Sequence, residues 1–453
     1  MDDSKFYKPE SAWKIYTSKR EDAAQFAREY LNFISGCKTE RETVAWVRRA
    51  LENAGYGKVL AGELYFRELR GKAIFAFRRG DAPLGEGINI IAAHGDSPRL
   101  DFKQHPFVET ANLVQAKTHY YGGIRKYQWL ARPLALRGTI ALENGSVLPV
   151  SIGDNPGDPV FCVEDLLPHL AQKQGTQKLN EAFEGEKLNI IIAHEPEIEP
   201  AEEKSKNPVK KRLLDLLFAK YGVGEEDFIT AEMEAVPAGD AKFVGLDESM
   251  IGGYGQDDRI CVFCGLRALL AAEKPRHSLA LMIWDKEEIG SDGASGASSS
   301  FFQYCVQDLA EEAKARTSEV FLNSRAVSAD VTAALDPDYQ DVHEKQNAAR
   351  LGYGPSFAKY TGSRGKYGAS EADAEYFASL RALLNSKGIP WQAAELGKVD
   401  LGGGGTVALF LARHGIRVID LGPALLSMHS PFELSSVADL YATWQAYKAF
   451  FED

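Results

Sequence analysis

Two short and nearly continuous apolar runs, Ile88–Ala93 and Leu279–Trp284, constrain the fold more than any other feature of this sequence. Such runs are typical of inner strands that are covered on both faces of a sheet. Helical patterns and further strands alternate through the second half of the chain, at residues 258–273, 279–284, 298–315, 372–385, 417–421 and 436–451. This alternation predicts an α/β fold, a doubly wound mixed sheet with helices on both of its faces.

The first eighty residues fit the same class of fold. Residues 12–33 show helical periodicity, with charged side chains on one face. Thr39 is predicted to cap a second helix that runs towards Asn53, because Glu42 stands three residues later and completes a capping box. A strand is predicted at residues 73–77, ahead of the first inner strand.

The middle of the chain follows a different pattern, rich in strands. Asn144-Gly145 stands between two β-prone runs and predicts a hairpin with a primed turn. Residues 195–212 are charged, contain three prolines and are predicted to form a mobile loop. The alternation of strands and helices therefore breaks off here and resumes further along the chain.

The length of 453 residues exceeds what one hydrophobic core usually serves, so we expect two domains. One domain is discontinuous and comprises residues 1–106 and 242–453. The other, residues 107–241, is strand-rich and is inserted into the first. Insertions of this kind are tolerated best in exposed loops, where the chain can leave and return at the same place.

Charge, hydropathy and cysteine content exclude several classes of protein. The formal net charge of −12 is unlike the clustered basic surface of nucleic-acid-binding proteins, so no nucleic-acid partner is expected. No run approaches about 18 to 20 apolar residues, and no secretory signal is visible, so no membrane segment is expected. Five scattered cysteines favour the cytoplasm. Cys261 and Cys264, spaced as Cys-x-x-Cys in an apolar helical stretch, are interpreted as core residues.

Two adjacent glutamates, Glu287 and Glu288, follow the second apolar run closely. Successive side chains near a strand end diverge, so one carboxylate can bind a cation while its neighbour stands over a water on that cation. A metal hydrolase needs this combination of one ligand and one general base. A solvated surface pair is the alternative interpretation.

Four other segments carry side chains of the same chemical types. His94 and Asp96 lie at the carboxyl end of the first apolar run, where ligands bind in open α/β sheets. The other candidates are Asp257 or Asp258 at the start of a helix, Asp330 after a strand-like run and His429 before the last helix. Each has an ordinary alternative, such as a structural histidine or a helix cap. Together, two imidazoles and at least three carboxylates suit two zinc ions about 3.5–4 Å apart.

Three motifs, in this order, closely resemble those of the co-catalytic zinc aminopeptidases of the aspartyl aminopeptidase and vacuolar aminopeptidase I type. They are His94-Gly95-Asp96-Ser97-Pro98, Asp285-Lys286-Glu287-Glu288-Ile289-Gly290-Ser291 and Met428-His429-Ser430. The resemblance implies a metalloaminopeptidase that releases N-terminal amino acids from peptides by two-metal activation of a bridging water. The discontinuous domain would be the catalytic one, and the inserted domain would dimerise.

The resemblance also implies a role for each site residue. Two zinc ions per subunit, or cobalt or manganese in their place, would be held by His94, Asp257, Glu288, Asp330 and His429. Asp257 would bridge the two ions, and Glu287 would act as the general base. Asp96 would orient the first of the histidine ligands. The residues themselves leave open whether Asp257 or Asp258 is the bridge.

The resemblance further suggests substrate contacts from His169, Lys359, Gly403 and Gly404. His169, in the inserted domain, would reach the site of a neighbouring subunit, and a surface or packing histidine is the alternative. Lys359 would contact the substrate or the transition state, unless it is an ordinary exposed lysine. The glycine run Gly402–Gly405 would allow close backbone approach to a substrate or would form a tight turn.

The resemblance implies peptide substrates and a homo-oligomer, a dodecamer built from dimers. Val331-Thr332 stands where aspartyl-type members often have His-Ala, so no preference for acidic N-terminal residues is implied. Two rival interpretations stay open. One is a di-zinc deacylase or carboxypeptidase of the same superfamily, and the other is a catalytically inactive assembly or cargo protein.

Overall fold

The computed structural model describes residues 9–198, 205–273 and 275–453. The chain separates into two compact units. The first unit comprises the described residues up to Ser97 together with those of 241–428 and 432–453. The second unit comprises the described residues of 98–240 together with 429–431. Among the described residues, no helix combines the length and the apolar character needed to cross a membrane.

The first unit is built around an eight-stranded sheet with a parallel centre. In order across the sheet, its strands are Leu64–Leu69, Ala73–Arg78, Ser278–Trp284, Ile88–His94, Arg325–Ser328, Arg417–Gly422, Ser356–Ala358 and Gln392–Ala393. The third to sixth strands are parallel to one another, and antiparallel pairs join them to the strands on either side. The prediction of a doubly wound, mixed α/β fold is confirmed.

The strand Ser278–Trp284 shows why the inner strands are apolar throughout. Leu281 and Ile283 belong to the apolar cluster on one face of the sheet, whereas Met282 and Trp284 belong to the cluster on the other face. Because successive side chains of a strand point to opposite faces, a strand covered on both faces needs an apolar residue at every position.

Helices cover both faces of this sheet. The face that carries Leu281 packs against Arg20–Gly36, Glu40–Asn53, Gln256–Ala271, Ala374–Ser386 and Val437–Phe451. The face that carries Met282 packs against Phe301–Glu312, Thr317–Asn323 and Ala408–Ala412. Buried among the first group, Cys261 and Cys264 are core residues, as predicted, and no disulfide joins any of the five cysteines.

The two N-terminal helix predictions have different outcomes. The capping box is confirmed, since the Thr39 hydroxyl accepts the backbone N–H of Glu42 at 3.2 Å and the helix spans Glu40–Asn53. The helical periodicity over residues 12–33 corresponds to two α-helices separated by a 3-10 turn. A short helix, Ala12–Ile15, ends before a 3-10 turn, and the helix Arg20–Gly36 follows that turn. The Thr17 hydroxyl donates to the carbonyl oxygen of Lys14 at 2.7 Å, a local bond that competes with helical bonding.

Smaller strand pairs complete the first unit. Lys242–Val244, Met250–Gly253 and Glu433–Ser436 form a three-stranded antiparallel sheet. Two short ladders pair Thr332–Ala333 with Ala424–Leu425 and Gly362–Ser363 with Gly403–Gly404. The three-stranded sheet is the most important of these for function. Its strand Met250–Gly253 precedes the helix Gln256–Ala271, and its strand Glu433–Ser436 follows the segment that contains His429.

The main sheet of the second unit has seven antiparallel strands. In order, they are Val147–Ile152, Leu134–Ala141, Glu232–Pro237, Arg99–Thr110, Leu113–Tyr121, Ile190–Ala193 and Cys162–Val163. Two helices, Leu179–Ala182 and Pro208–Tyr221, belong to the same unit. The prediction of a loop over residues 195–212 is wrong for residues 208–212. These residues begin the helix Pro208–Tyr221, because proline suits the first position of a helix. Residues 199–204 of that prediction lie outside the described residues.

The predicted hairpin at Asn144-Gly145 is present, but its turn is of another type. Gly145 donates its N–H to the carbonyl oxygen of Leu142 and has a φ of +84°, whereas Asn144 does not adopt a positive φ. This is a three-residue loop in which a type I turn precedes a left-handed glycine. The Asn144 side-chain oxygen accepts the backbone N–H of Ser146 at 2.9 Å, which holds Asn144 outside the primed geometry.

Candidate metal centre

His94 is the last residue of the strand Ile88–His94, and Asp96 follows it, so both lie at the carboxyl edge of the central sheet. His94 is buried, and its Nδ1 lies 3.2 Å from the backbone carbonyl oxygen of Asp96. Because a carbonyl oxygen only accepts, Nδ1 carries the proton and Nε2 is the nitrogen that can bind a metal. The Asp96 carboxylate also lies 3.3 Å from Nδ1. These contacts fit the orienting role predicted for Asp96.

Asp96 also connects this histidine to the two adjacent glutamates. Its Oδ1 accepts the backbone N–H of Glu287 at 3.2 Å, and its Oδ2 accepts the backbone N–H of Glu288 at 3.2 Å. The glutamates begin a short 3-10 turn directly after Lys286, whose φ is +70°. These bonds fix the backbone from which both carboxylates project. Oε2 of Glu287 lies 3.8 Å from Nε2 of His94.

Asp257 and Asp258 lie at the beginning of the helix Gln256–Ala271, where the backbone departs from helical geometry. Oδ1 of Asp257 lies 3.3 Å from Nε2 of His94. Asp258 instead uses Oδ2 to accept the backbone N–H of His94 at 3.3 Å. The two neighbouring carboxylates therefore have different partners, and Asp257 is the one beside the imidazole nitrogen.

Candidate ligand atoms come together in two groups of three residues. Those of His94, Asp257 and Asp330 lie within 4.8 Å of one another, as do those of Asp257, Glu288 and His429. Asp257 is common to both groups. Nδ1 of His429 lies 3.0 Å from the carbonyl oxygen of Gly123, so both histidines use Nδ1 on a carbonyl. The five predicted ligands are thus gathered, and their binding of metal ions stays a prediction.

The donor set fits divalent zinc. Zinc binds imidazole and carboxylate, and ligands about 2.1 Å from a tetrahedral ion lie roughly 3.4 Å apart. The separation of 3.3 Å between His94 Nε2 and Asp257 Oδ1 agrees with this spacing. Burial raises the pKa of Asp330 well above its usual range, and the charge of Asp258 raises it further. Carboxylates crowded in this way repel one another, and bound cations would relieve the repulsion.

The pKa of His94 reports the same excess of negative charge. Burial on its own would lower that pKa, but hydrogen bonds to Asp257 and Asp96 outweigh burial and hold it well above the ordinary value. The charge of Glu287 contributes in the same direction. A site that favours the positive imidazolium without metal is one whose field attracts cations.

Two of the residues predicted to contact substrate lie in the short ladder formed by Gly403 and Gly404. Gly403 has a φ of +132°, and a Cβ there would lie 2.3 Å from the carbonyl oxygen of Gly362. Close strand pairing therefore supplies a structural reason for glycine at position 403. Gly404 has open space where a Cβ would be, and both glycines are exposed. Their contact with substrate stays a prediction.

The other two predicted contacts lie elsewhere in the fold. Lys359 is exposed and follows the strand Ser356–Ala358, where it lines a cavity of about 1040 Å³ with Phe377 and Trp391. His169 is exposed in a 3-10 turn, Pro168–Leu170, of the second unit. Both positions are accessible, and both roles stay predictions.

Two polar residues that the sequence interpretation did not single out, Ser97 and Glu433, contact the backbone of Asp257. Ser97 donates its hydroxyl to the carbonyl oxygen of Asp257 at 2.8 Å, and Glu433 accepts the backbone N–H of Asp257 at 3.2 Å. Gln256 precedes Asp257 and bonds to Glu433 through both its backbone and its side chain. The only available signal was position: Ser97 follows the His-x-Asp motif, and Glu433 stands four residues after His429.

An open α/β sheet that carries histidine and carboxylate groups sharing one aspartate, with a further glutamate beside them, is the arrangement expected of a metal-dependent hydrolase. Residues 33–451 match the family model described as aminopeptidase I zinc metalloprotease (M18). The probable M18 family aminopeptidase 1 of Thermotoga maritima is 46% identical over 445 residues, which cover 96% of this chain and 97% of that protein. The chain belongs to the M18 family of zinc metalloproteases.

Solved structures agree with this assignment. A crystal structure of an M18 family aminopeptidase from Thermotoga maritima has a TM-score of 0.94 and 45% identity, covering 99% of this chain and 100% of that one. The S. cerevisiae mApe1 dodecamer shares the fold at a TM-score of 0.75 and 20% identity, with coverages of 96% and 97%. The predicted family, fold class and metalloaminopeptidase activity are confirmed.

Proposed function

We propose that this metalloaminopeptidase binds two zinc ions in the two ligand groups and removes N-terminal residues from peptides in the cytoplasm. The observation that carries the proposal is that Asp257 belongs to both groups. A carboxylate shared in this way suits two ions about 3.5–4 Å apart. Cobalt and manganese accept the same ligands and are the alternatives to zinc.

When bound, the ions polarise the scissile carbonyl and lower the pKa of a water. Glu287 has a separate task in this proposal: its carboxylate takes a proton from the attacking water and returns it to the leaving amine. Its distance of 3.8 Å from His94 Nε2 supports the assignment, because Glu287 is next to the first ligand group without belonging to it. The Asp96 carboxylate accepts the backbone N–H of Glu287, which keeps Glu287 in place, and the same carboxylate orients His94.

Four residues are proposed to contact the substrate. Lys359 and the backbone of Gly403 and Gly404 are proposed to contact the peptide within the same subunit, and their exposure supports this role. His169 is proposed to contact the peptide of a neighbouring subunit. The apolar side chains of Leu167 and Leu170 on either side of it are exposed, as expected of a segment that meets a partner.

The proposed assembly is a dodecamer built from dimers. A catalytic domain of residues 1–106 and 242–453 would carry the metal centre, and the inserted domain of residues 107–241 would form the dimer. Exposed apolar side chains within the inserted range support this role, among them Val147, Val160, Leu166, Leu167, Leu170, Leu179 and Phe218. Light scattering on the purified chain tests the proposal, and a monomer would contradict it.

The experiment that tests the proposed chemistry compares initial rates on amino-acid nitroanilides with rates on their N-acetylated counterparts. Metal content is measured in the same sample. We expect two zinc ions per chain and hydrolysis that depends on a free α-amine. Release of acetate from the acetylated substrates, without release of nitroaniline, would favour the di-zinc deacylase instead. The same panel, run over different N-terminal residues, ranks acidic against neutral and apolar substrates.

A further inference from the structure

The backbone of Asp257 is held by Glu433, a residue from a different segment of the chain. Oε2 of Glu433 accepts the N–H of Gln256 at 2.6 Å and the N–H of Asp257 at 3.2 Å. N–H groups at the start of a helix have no partner within that helix, and a carboxylate there is favourable. Gly255, the residue before this helix, has no side chain that could cap it. Glu433 supplies the missing acceptor.

Strand pairing fixes the position of Glu433. It is the first residue of the strand Glu433–Ser436 and lies opposite Gly253 in the antiparallel three-stranded sheet. The side chain of Gln256 donates to the carbonyl oxygen of Glu433 at 2.7 Å, and Ser435 donates its hydroxyl to Gln256 at 2.6 Å. Glu433 is only 1% exposed, so it has little freedom to move away from these partners.

Asp257 is held equally on its other side. The hydroxyl of Ser97 donates to the carbonyl oxygen of Asp257 at 2.8 Å, and Ser97 directly follows Asp96. Both backbone polar groups of Asp257 are therefore engaged, the N–H by Glu433 and the carbonyl by Ser97. With the backbone fixed, only the two side-chain torsions determine where the Asp257 carboxylate lies.

We propose that Glu433 is a positioning residue of this aminopeptidase, which holds Asp257 so that its carboxylate can serve both ligand groups. The inference rests on the proposed bridging role of Asp257. Glu433 acts through Asp257 and not on the substrate. Partners that orient metal ligands typically change metal affinity by about 10- to 100-fold when they are altered. The same range is expected here.

The test uses four variants of the full chain, each freed of metal with a chelator and titrated with zinc. Glu433→Asp keeps the charge but withdraws the carboxylate by one methylene, beyond reach of the Asp257 N–H. Glu433→Gln keeps an acceptor oxygen at the same length. Ser435→Ala removes a buried hydrogen bond of the same network that does not involve Asp257. Asp257→Asn tests the proposed bridge itself.

We expect Glu433→Asp to weaken zinc binding by about 10- to 100-fold, Glu433→Gln to weaken it less, and Ser435→Ala to leave it unchanged. At saturating zinc, Glu433→Asp should lower kcat with little change in KM. If both Glu433 variants bind zinc like the parent while Asp257→Asn does not, the inference on Glu433 is wrong and the proposed metal site stands. If Asp257→Asn also binds two zinc ions normally, the proposed metal site itself fails. A loss of zinc affinity in Ser435→Ala as large as that in Glu433→Asp would show that Glu433 has only a structural role.

Discussion

Replacing Glu287 with glutamine tests the assignment of the general base most directly. Glutamine has nearly the same shape, and the N–H of residue 287 would still donate to Asp96. The Glu287 side chain is 18% exposed, so the amide keeps access to water and the fold should tolerate the change. General-base catalysis contributes roughly 100- to 10,000-fold, or about 3–5 kcal/mol of transition-state stabilisation at 1.36 kcal/mol per factor of ten. We expect kcat to fall within that range.

The assay is steady-state hydrolysis of the best nitroanilide substrate, with zinc counted in the same preparation. Glu288→Gln is the matched control, because it changes the neighbouring carboxylate in the same way. We expect Glu287→Gln to retain both zinc ions and lose turnover, and Glu288→Gln to lose zinc from the group that contains His429. Near-native turnover of Glu287→Gln with two zinc ions bound would falsify the assignment.

Three further predictions concern stability. Phe263 is buried with its ring centre 5.5 Å from that of Phe33, so Phe263→Ala should lower the free energy of unfolding by about 3–5 kcal/mol in urea titrations. Thr39→Ala removes the cap on Glu42 and should cost about 1 kcal/mol, seen as a lower Tm with unchanged kcat. Burial raises the pKa of Asp439 to about 7, well above its unfolded value, so its protonation favours the folded state. That contribution is present below about pH 4 and is lost towards pH 7. As the pH rises through this window, the free energy of unfolding of the unsubstituted protein should fall relative to that of Asp439→Asn by about 1.4 kcal/mol per pH unit. A difference between the two proteins that does not change with pH would contradict this prediction.

Local signals explain what the sequence could predict. A capping box involves residues three apart, so Thr39 and Glu42 locate the start of their helix without reference to the rest of the chain. An inner strand must be apolar at every position, so Ile88–His94 was visible as a run. The carboxyl end of that strand then indicated where His94 and Asp96 would lie, because ligands bind at this edge of open α/β sheets.

Contacts between distant segments of the chain explain what the sequence could not predict. Glu433 and Asp257 are 176 positions apart, and only the pairing of Glu433–Ser436 with Met250–Gly253 brings them together. No periodicity or motif encodes such a contact. The predicted type of the hairpin turn was wrong for a different reason. The side-chain oxygen of Asn144 accepts the backbone N–H of Ser146, and the backbone adopts a type I turn.

The order of strands in the central sheet has a consequence for synthesis on the ribosome. Ile88–His94 pairs with Ser278–Trp284 on one side and with Arg325–Ser328 on the other. Both neighbours follow it by more than about 180 residues, which take roughly 10–40 s to translate at 5–20 residues per second. During that interval a strongly apolar strand has neither of its native neighbours, and exposed edges of this kind recruit other chains. Shielding of the nascent segment by a chaperone should therefore raise the yield of folded enzyme, most of all when translation is slowed.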